Sequence, residues 1–207
     1  MSEEKGISFL EILVVLAILG VTASFVMPNI GSWRNTSLIE ADVEALVSQI
    51  EYIKARASVI NGTGVLRCSW DGPAKEAGPF GNKLTYQISS YRQTSDTALD
   101  PNTLQATNIV EDGSAKNILS GKTVIGNEMC NQKSHAIFLS SGRYFLAEGG
   151  TYLDIQITIL ETTWAKAWSA AETGNYKYPF YKILVEPMTS FVTKAKLSSK
   201  AGWIEIE

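Results

Sequence analysis

This chain is poor in the residue types that most often carry chemistry. It has one histidine, His135, and two cysteines, Cys68 and Cys130, which lie far apart with no C-x-x-C pair. A thiol–histidine metal site needs more ligands than these, and none is expected. The two cysteines fit either one disulfide, if they face an oxidising compartment, or two separate buried thiols acting as small hydrophobes. There is no excess of positive charge: the formal net charge is -3, so the composition does not demand a nucleic-acid partner. Charged residues make up 19% and apolar residues 45%, an ordinary balance for a chain with a folded core. With 207 residues, one domain plus a long appendage fits best.

Catalytic patterns are as sparse. Ser134-His135 is an adjacent pair without an evident orienting group. Glu111-Asp112 reads as loop solvation. Gly121-Lys122-Thr123 lacks the preceding glycines of a phosphate loop. The chain is therefore expected to be non-enzymatic and to need no cofactor.

What the sequence does have is a long apolar run near its start. Ile7 to Met27 holds one ionisable residue, Glu11, and is long enough on paper to cross a bilayer. A carboxylate in such a run is costly unless another molecule supplies its counter-charge. Pro28 removes a backbone donor and crowds the preceding turn, which predicts a bend or local break over residues 28–31. Beyond it Ile39, Val43, Leu46, Ile50, Ile53, Ala57 and Ile60 recur at steps of three and four, one apolar face of a second helical half. The "NGTG" at 61–64 ends it.

After Gly64 the pattern becomes short strand-like runs: 65–69, 84–89, 123–126, 135–139, 140–148 (a turn feeding a strand), 153–160, 181–185 and 203–207. Long crossover helices are missing between them, so an antiparallel sheet is expected. Residues 92–121 read as a polar surface loop with at most one short strand near Asn117–Leu119. Residues 161–173 read as a short helix with Trp164, Trp168 and Ala171 along one side.

Lys5-Gly6-Ile7-Ser8-Phe9-Leu10-Glu11 followed by an apolar run resembles the class III signal and N-terminal helix of type IV pilin-like proteins. That resemblance implies cleavage after Gly6 by a prepilin peptidase, N-methylation of Ile7, and an assembly role for Glu11 opposite the terminal amine of a neighbouring subunit. The family's proline falls on Pro28; its usual first mature residue is phenylalanine or methionine, from which Ile7 departs. Residues 38–72, with Ala55-Arg56 and Val65 to Cys68, and 135–147, with Phe138 and Gly142, resemble the GspH/FimT branch of minor pseudopilins and minor pilins.

The expected architecture is thus α+β. It comprises a leader peptide (1–6), a transmembrane helix half (7–28), an amphipathic helix half (29–61) and a mainly antiparallel β-rich head (62–207). The resemblance implies a single-pass bacterial inner-membrane protein with a periplasmic head, serving as a minor pseudopilin of a type II secretion pseudopilus that promotes its assembly and protein export. Implied partners are other pilin-like subunits, the prepilin peptidase, the inner-membrane assembly platform and the lipid bilayer. The alternative is a minor pilin of a type IV pilus that touches DNA in natural transformation through Lys194, Lys196 and Lys200. Against it, the branch's arginine-rich tail is absent and Glu205 and Glu207 dilute the field.

Overall fold

The computed structural model describes residues 9–70, 80–92, 109–113, 117–126, 130, 135–146, 153–159, 176, 178–198 and 202–206; the side chains of 25–30, 80 and 145 are not among those described. Among the described residues one helix, α1 (Phe9–Val59), precedes eleven strands. The chain divides into two compact units, 1–37 and 38–207, with α1 contributing to both.

The first unit corrects one expectation and narrows another. Among the described residues no helix is long and apolar enough to cross a membrane. The fully described apolar stretch, Phe9–Ser24, covers sixteen residues. At 1.5 Å per residue that is about 24 Å, against roughly 30 Å of hydrocarbon. The transmembrane half, with the single-pass inner-membrane placement and the bilayer partner that depended on it, is therefore set aside. The narrowed one concerns Pro28: of the bend or local break expected there, the break is absent, since α1 runs as helix straight through this position. Gly6 and Ile7 lie outside the described residues.

In the second unit the head is built from two antiparallel sheets. One has the order β4-β3-β1-β6-β7, with β1 (Thr63–Ser69), β3 (Lys83–Ser89), β4 (Ile109–Asp112), β6 (Ala136–Leu139) and β7 (Tyr144–Leu146). The other has the order β11-β10-β9-β8-β5-β2, with β2 (Phe80–Gly81), β5 (Thr123–Gly126), β8 (Leu153–Ile159), β9 (Tyr181–Val185), β10 (Val192–Ser198) and β11 (Gly202–Ile206). Every pairing is antiparallel. The α+β class and the antiparallel head thus match the sequence reading. Three strands do not. The strand in the polar stretch lies at Ile109–Asp112, not near Asn117–Leu119, and β2 and β10 were unforeseen. The helix expected over 161–173 lies outside the described residues.

The apolar stripe of α1 is the centre of the core. Ile39, Val43, Leu46, Ile50 and Ile53 are buried together with Leu66, Leu84 and Phe138 of one sheet and Ile125, Leu153, Ile155, Ile157, Ile183 and Val185 of the other. Residues at steps of three and four stack on one side of a helix, whereas alternate residues of a strand share a face. That is why β8 buries Leu153, Ile155 and Ile157 and leaves Asp154 and Gln156 half-buried.

The helix ends where the sequence says it must. Asn61 takes a left-handed conformation (φ 49°). Its N–H bonds the Ser58 carbonyl at 3.1 Å, while the Gly62 N–H reaches back to Ala57 at 2.9 Å. This paired closure satisfies carbonyls that the terminus would otherwise strand. Gly62 then passes so close to the Ser89 carbonyl that a Cβ would stand 2.0 Å from it.

Cys68 and Cys130 are joined by a disulfide and both are buried. Tyr144 ties one sheet to the other. Its hydroxyl donates to the Val185 carbonyl at 2.7 Å and accepts from the Leu153 N–H at 2.6 Å.

Candidate assembly surface

Two helix regions carry the surfaces that matter here, and they differ in what they leave uncovered. In the first unit, ten large apolar side chains between Phe9 and Val21 are between 47% and 77% exposed. They point all round the helix, so no single packing partner within a stripe could hide them. The small polar residues among them turn their hydrogen bonds inward. Thr22 donates to the carbonyls of Ile18 (2.9 Å) and Leu19 (3.0 Å), and Ser24 to that of Val21 (2.6 Å). An apolar neighbour could therefore cover this stretch without stranding either hydroxyl. Glu11 remains as its single ionisable side chain, and it is exposed.

The helix from Leu38 onward is held by polar contacts along both sides of its buried stripe. On one side Tyr181 donates to Glu40 at 2.5 Å, Lys194 pairs with Glu44 at 2.8 Å, and Lys54 donates to the Ser190 carbonyl at 2.6 Å. Burial first, and the bond to Glu40 second, push the Tyr181 phenol well above its ordinary range.

On the other side the buried Asp42 carboxylate accepts from the Ser120 N–H (3.0 Å), the Ser120 hydroxyl (2.8 Å) and the Thr123 hydroxyl (2.6 Å). Further along, Glu111 accepts from the hydroxyls of Tyr52 (2.5 Å) and Tyr86 (3.0 Å), with the Arg56 Nε 3.6 Å away. The bond to Glu111 is the main cause that raises Tyr52. Tyr86 is pushed up to about 12, first by burial and then by Glu111. Glu111 thus ties β4 to the helix rather than solvating a loop.

These contacts also show where the described residues that hinted at chemistry are engaged. Lys194 is engaged with Glu44, and the Lys196 ammonium lies 5.2 Å above the Tyr181 ring. Lys200 lies outside the described residues. Lys194 and Lys196 therefore do not stand out as a free basic patch among the described residues. Thr123 gives its hydroxyl to Asp42, which takes it out of any phosphate loop. His135 is buried, and Ser134 lies outside the described residues. No group of three or more His, Cys, Asp or Glu among the described residues could hold a metal ion.

Sequence reasoning missed Asp42, Tyr52, Tyr86, Glu111 and Tyr181. For Asp42 a signal existed. It falls three residues after Ile39 and four before Leu46, on the margin of the apolar stripe, where an acid must find donors on burial. The others depend on which strands meet the helix, and their spacing does not encode that. No family model, curated protein or solved structure matches this chain.

Proposed function

We propose that this chain is a structural subunit of a pilin-like filament, the pseudopilus of a type II secretion system, and that neighbouring helices cover its Phe9–Ser24 segment. The observation that carries this reading is the all-round apolar exposure of that segment in a single chain. A soluble monomer rarely leaves so large an apolar surface uncovered. Its inward-bonded Thr22 and Ser24 suit a dry helix–helix contact. Glu11 then selects register: its carboxylate, desolvated by packing, is tolerated only at the axial offset that brings a positive group of another subunit to it. The head supports the secretion reading over the DNA-binding one, because Lys194 and Lys196 are already engaged within it.

The test is cross-linking in cells. Both cysteines of the chain are in the Cys68–Cys130 bond, so a Leu16→Cys variant carries one free thiol. Oxidation is expected to link it to other pilin-like subunits carrying a matching thiol, and Glu11→Ala in the same background to reduce those products at least tenfold. Unchanged incorporation and unchanged export with Glu11→Ala would overturn the reading.

A further inference from the structure

The head's two sheets end in four strands that have a described neighbour on one side only: β4 and β7 in one sheet, β11 and β2 in the other. An edge strand offers unpaired backbone donors and acceptors, and folded proteins blunt such edges by shortness, bulges or charge. Three of these four are blunted. Among the described residues strand β2 has two, β7 three and β4 four, and the pairing of β4 is interrupted by a register shift at Ile88/Ser89. Strand β11 has five residues and keeps an unbroken register with β10 from Lys194↔Ile206 to Ser198↔Gly202. It also carries Ile204, 46% exposed at the strand's midpoint.

We infer that β11 is an interface, and that its occupant is β11 of a second copy of this chain, paired antiparallel about Ile204. Length supports this occupant, since no other described edge of the chain matches five residues. Side-chain fit supports it as well. A two-fold pairing centred on Ile204 sets Ile204 against Ile204, Trp203 against Glu205 and Gly202 against Ile206. No carboxylate of the described strand then faces another directly across the ladder, the arrangement that would oppose pairing. A Cβ built on Gly202 meets nothing within 4 Å, so there is open space there for the partner copy's isoleucine side chain. Ile204 meets its own equivalent and loses its exposure to water. The result is one sheet running through two heads, with its affinity coming from main-chain bonds and its register from the side chains.

A two-fold contact is closed, because it consumes the same edge on both copies and cannot propagate. It is therefore separate from the open-ended helix packing proposed above, and joins subunits in pairs through their heads. Neither contact requires the other.

The full chain tests it. A variant with Ile204→Cys carries one free thiol, as does a Val110→Cys variant on the short edge β4, where Val110 is similarly exposed at 48%. Mild oxidation is expected to give covalent homodimers of the Ile204→Cys chain at least tenfold faster than of the Val110→Cys chain. A mixture of Trp203→Cys and Glu205→Cys chains is expected to give the mixed dimer in preference to either self-dimer, because only 203 and 205 face each other in this register. Each thiol variant is first checked for a native circular-dichroism spectrum. Equal rates at Ile204 and Val110, or no preference for the mixed 203–205 product, would overturn the pairing. Loss of the Leu16→Cys cross-links with retention of those at Ile204 would sink the filament reading alone.

Discussion

Asp42 on the helix and Thr123 at the start of β5 are 81 positions apart and share a 2.6 Å hydrogen bond between side chains. The same carboxylate holds Ser120 through both its N–H and its hydroxyl. A buried carboxylate depends on its donors, and its loss leaves the buried Thr123 hydroxyl without an acceptor, while exposed Ser120 can turn to water. Asp42→Ala is expected to lower unfolding stability by about 3 kcal/mol, and Thr123→Val by about 1 kcal/mol. Urea unfolding of the full chain measures both. The double variant is expected to lose less than the sum, since the two residues share one network.

The disulfide is the second expectation to test. Cys68 and Cys130 are 62 positions apart, so in the chain-entropy account their bond closes a long loop and contributes about 4 kcal/mol. Cys68→Ala with Cys130→Ala is expected to lower the denaturant midpoint by a corresponding amount. Gly81 offers an independent check on the same site. A Cβ there would stand 2.1 Å from the Cys68 sulfur and 2.8 Å from the Ser69 carbonyl. Because backbone cannot yield as a flexible side chain does, Gly81→Ala is expected to cost about 2 kcal/mol in the oxidised protein. If Gly81→Ala were neutral, the strand β2 would not lie where it is described.

Gly64 tests how closely the helix approaches the first strand. A Cβ at this position would meet Ile53 Cγ2 at 2.3 Å, and Ile53 is fully buried. Gly64→Ala is expected to destabilise by about 2 kcal/mol through overpacking, and a second change, Ile53→Ala, which removes the Cγ2 it would meet, to recover part of that loss. Simple addition of the two costs would mean that the two residues do not touch.

Much of this head was legible because periodicity reports burial directly. The stripe from Ile39 to Ala57 and the alternation of β8 and β9 were visible in the sequence, and each lies in the core. Strand β10 was not, since "VTKAKLS" carries two lysines and reads as a solvated tail. It forms because β9 and β11 bond its backbone on both sides, while Lys194 and Lys196 find Glu44 and Tyr181. Strand β4 was hidden for the same reason: Glu111 looks like a solvent-facing acid until the helix brings Tyr52 beside it. Polar residues matched across elements leave no periodic trace, because each partner alone looks like surface. The apolar run from Phe9 was legible as apolar. Its continuity through Pro28 was not, because proline's penalty falls on one turn and the flanking turns can carry the helix past it.

The last prediction concerns alkaline pH and the pair of tyrosines on Glu111. Tyr86 is held at about 12, mainly by burial and then by its bond to Glu111. An unfolded tyrosine titrates near 10. The folded state therefore binds this proton more tightly, and the resulting stabilisation is complete below pH 10. It is lost progressively as the pH rises from about 10 to about 12, where the folded phenol also ionises. Stability measured by urea unfolding is expected to fall across that window, with the fall reduced in Tyr86→Phe. Tyrosinate absorbance gives the matching readout: one tyrosine titrating late in the native chain should be missing from the Tyr86→Phe curve. Glu111→Gln removes the charge that both phenols face, and is expected to bring the Tyr52 and Tyr86 titrations down toward ordinary values. If both curves stayed where they were, burial alone would set these phenols, and the tie between β4 and the helix would lie elsewhere.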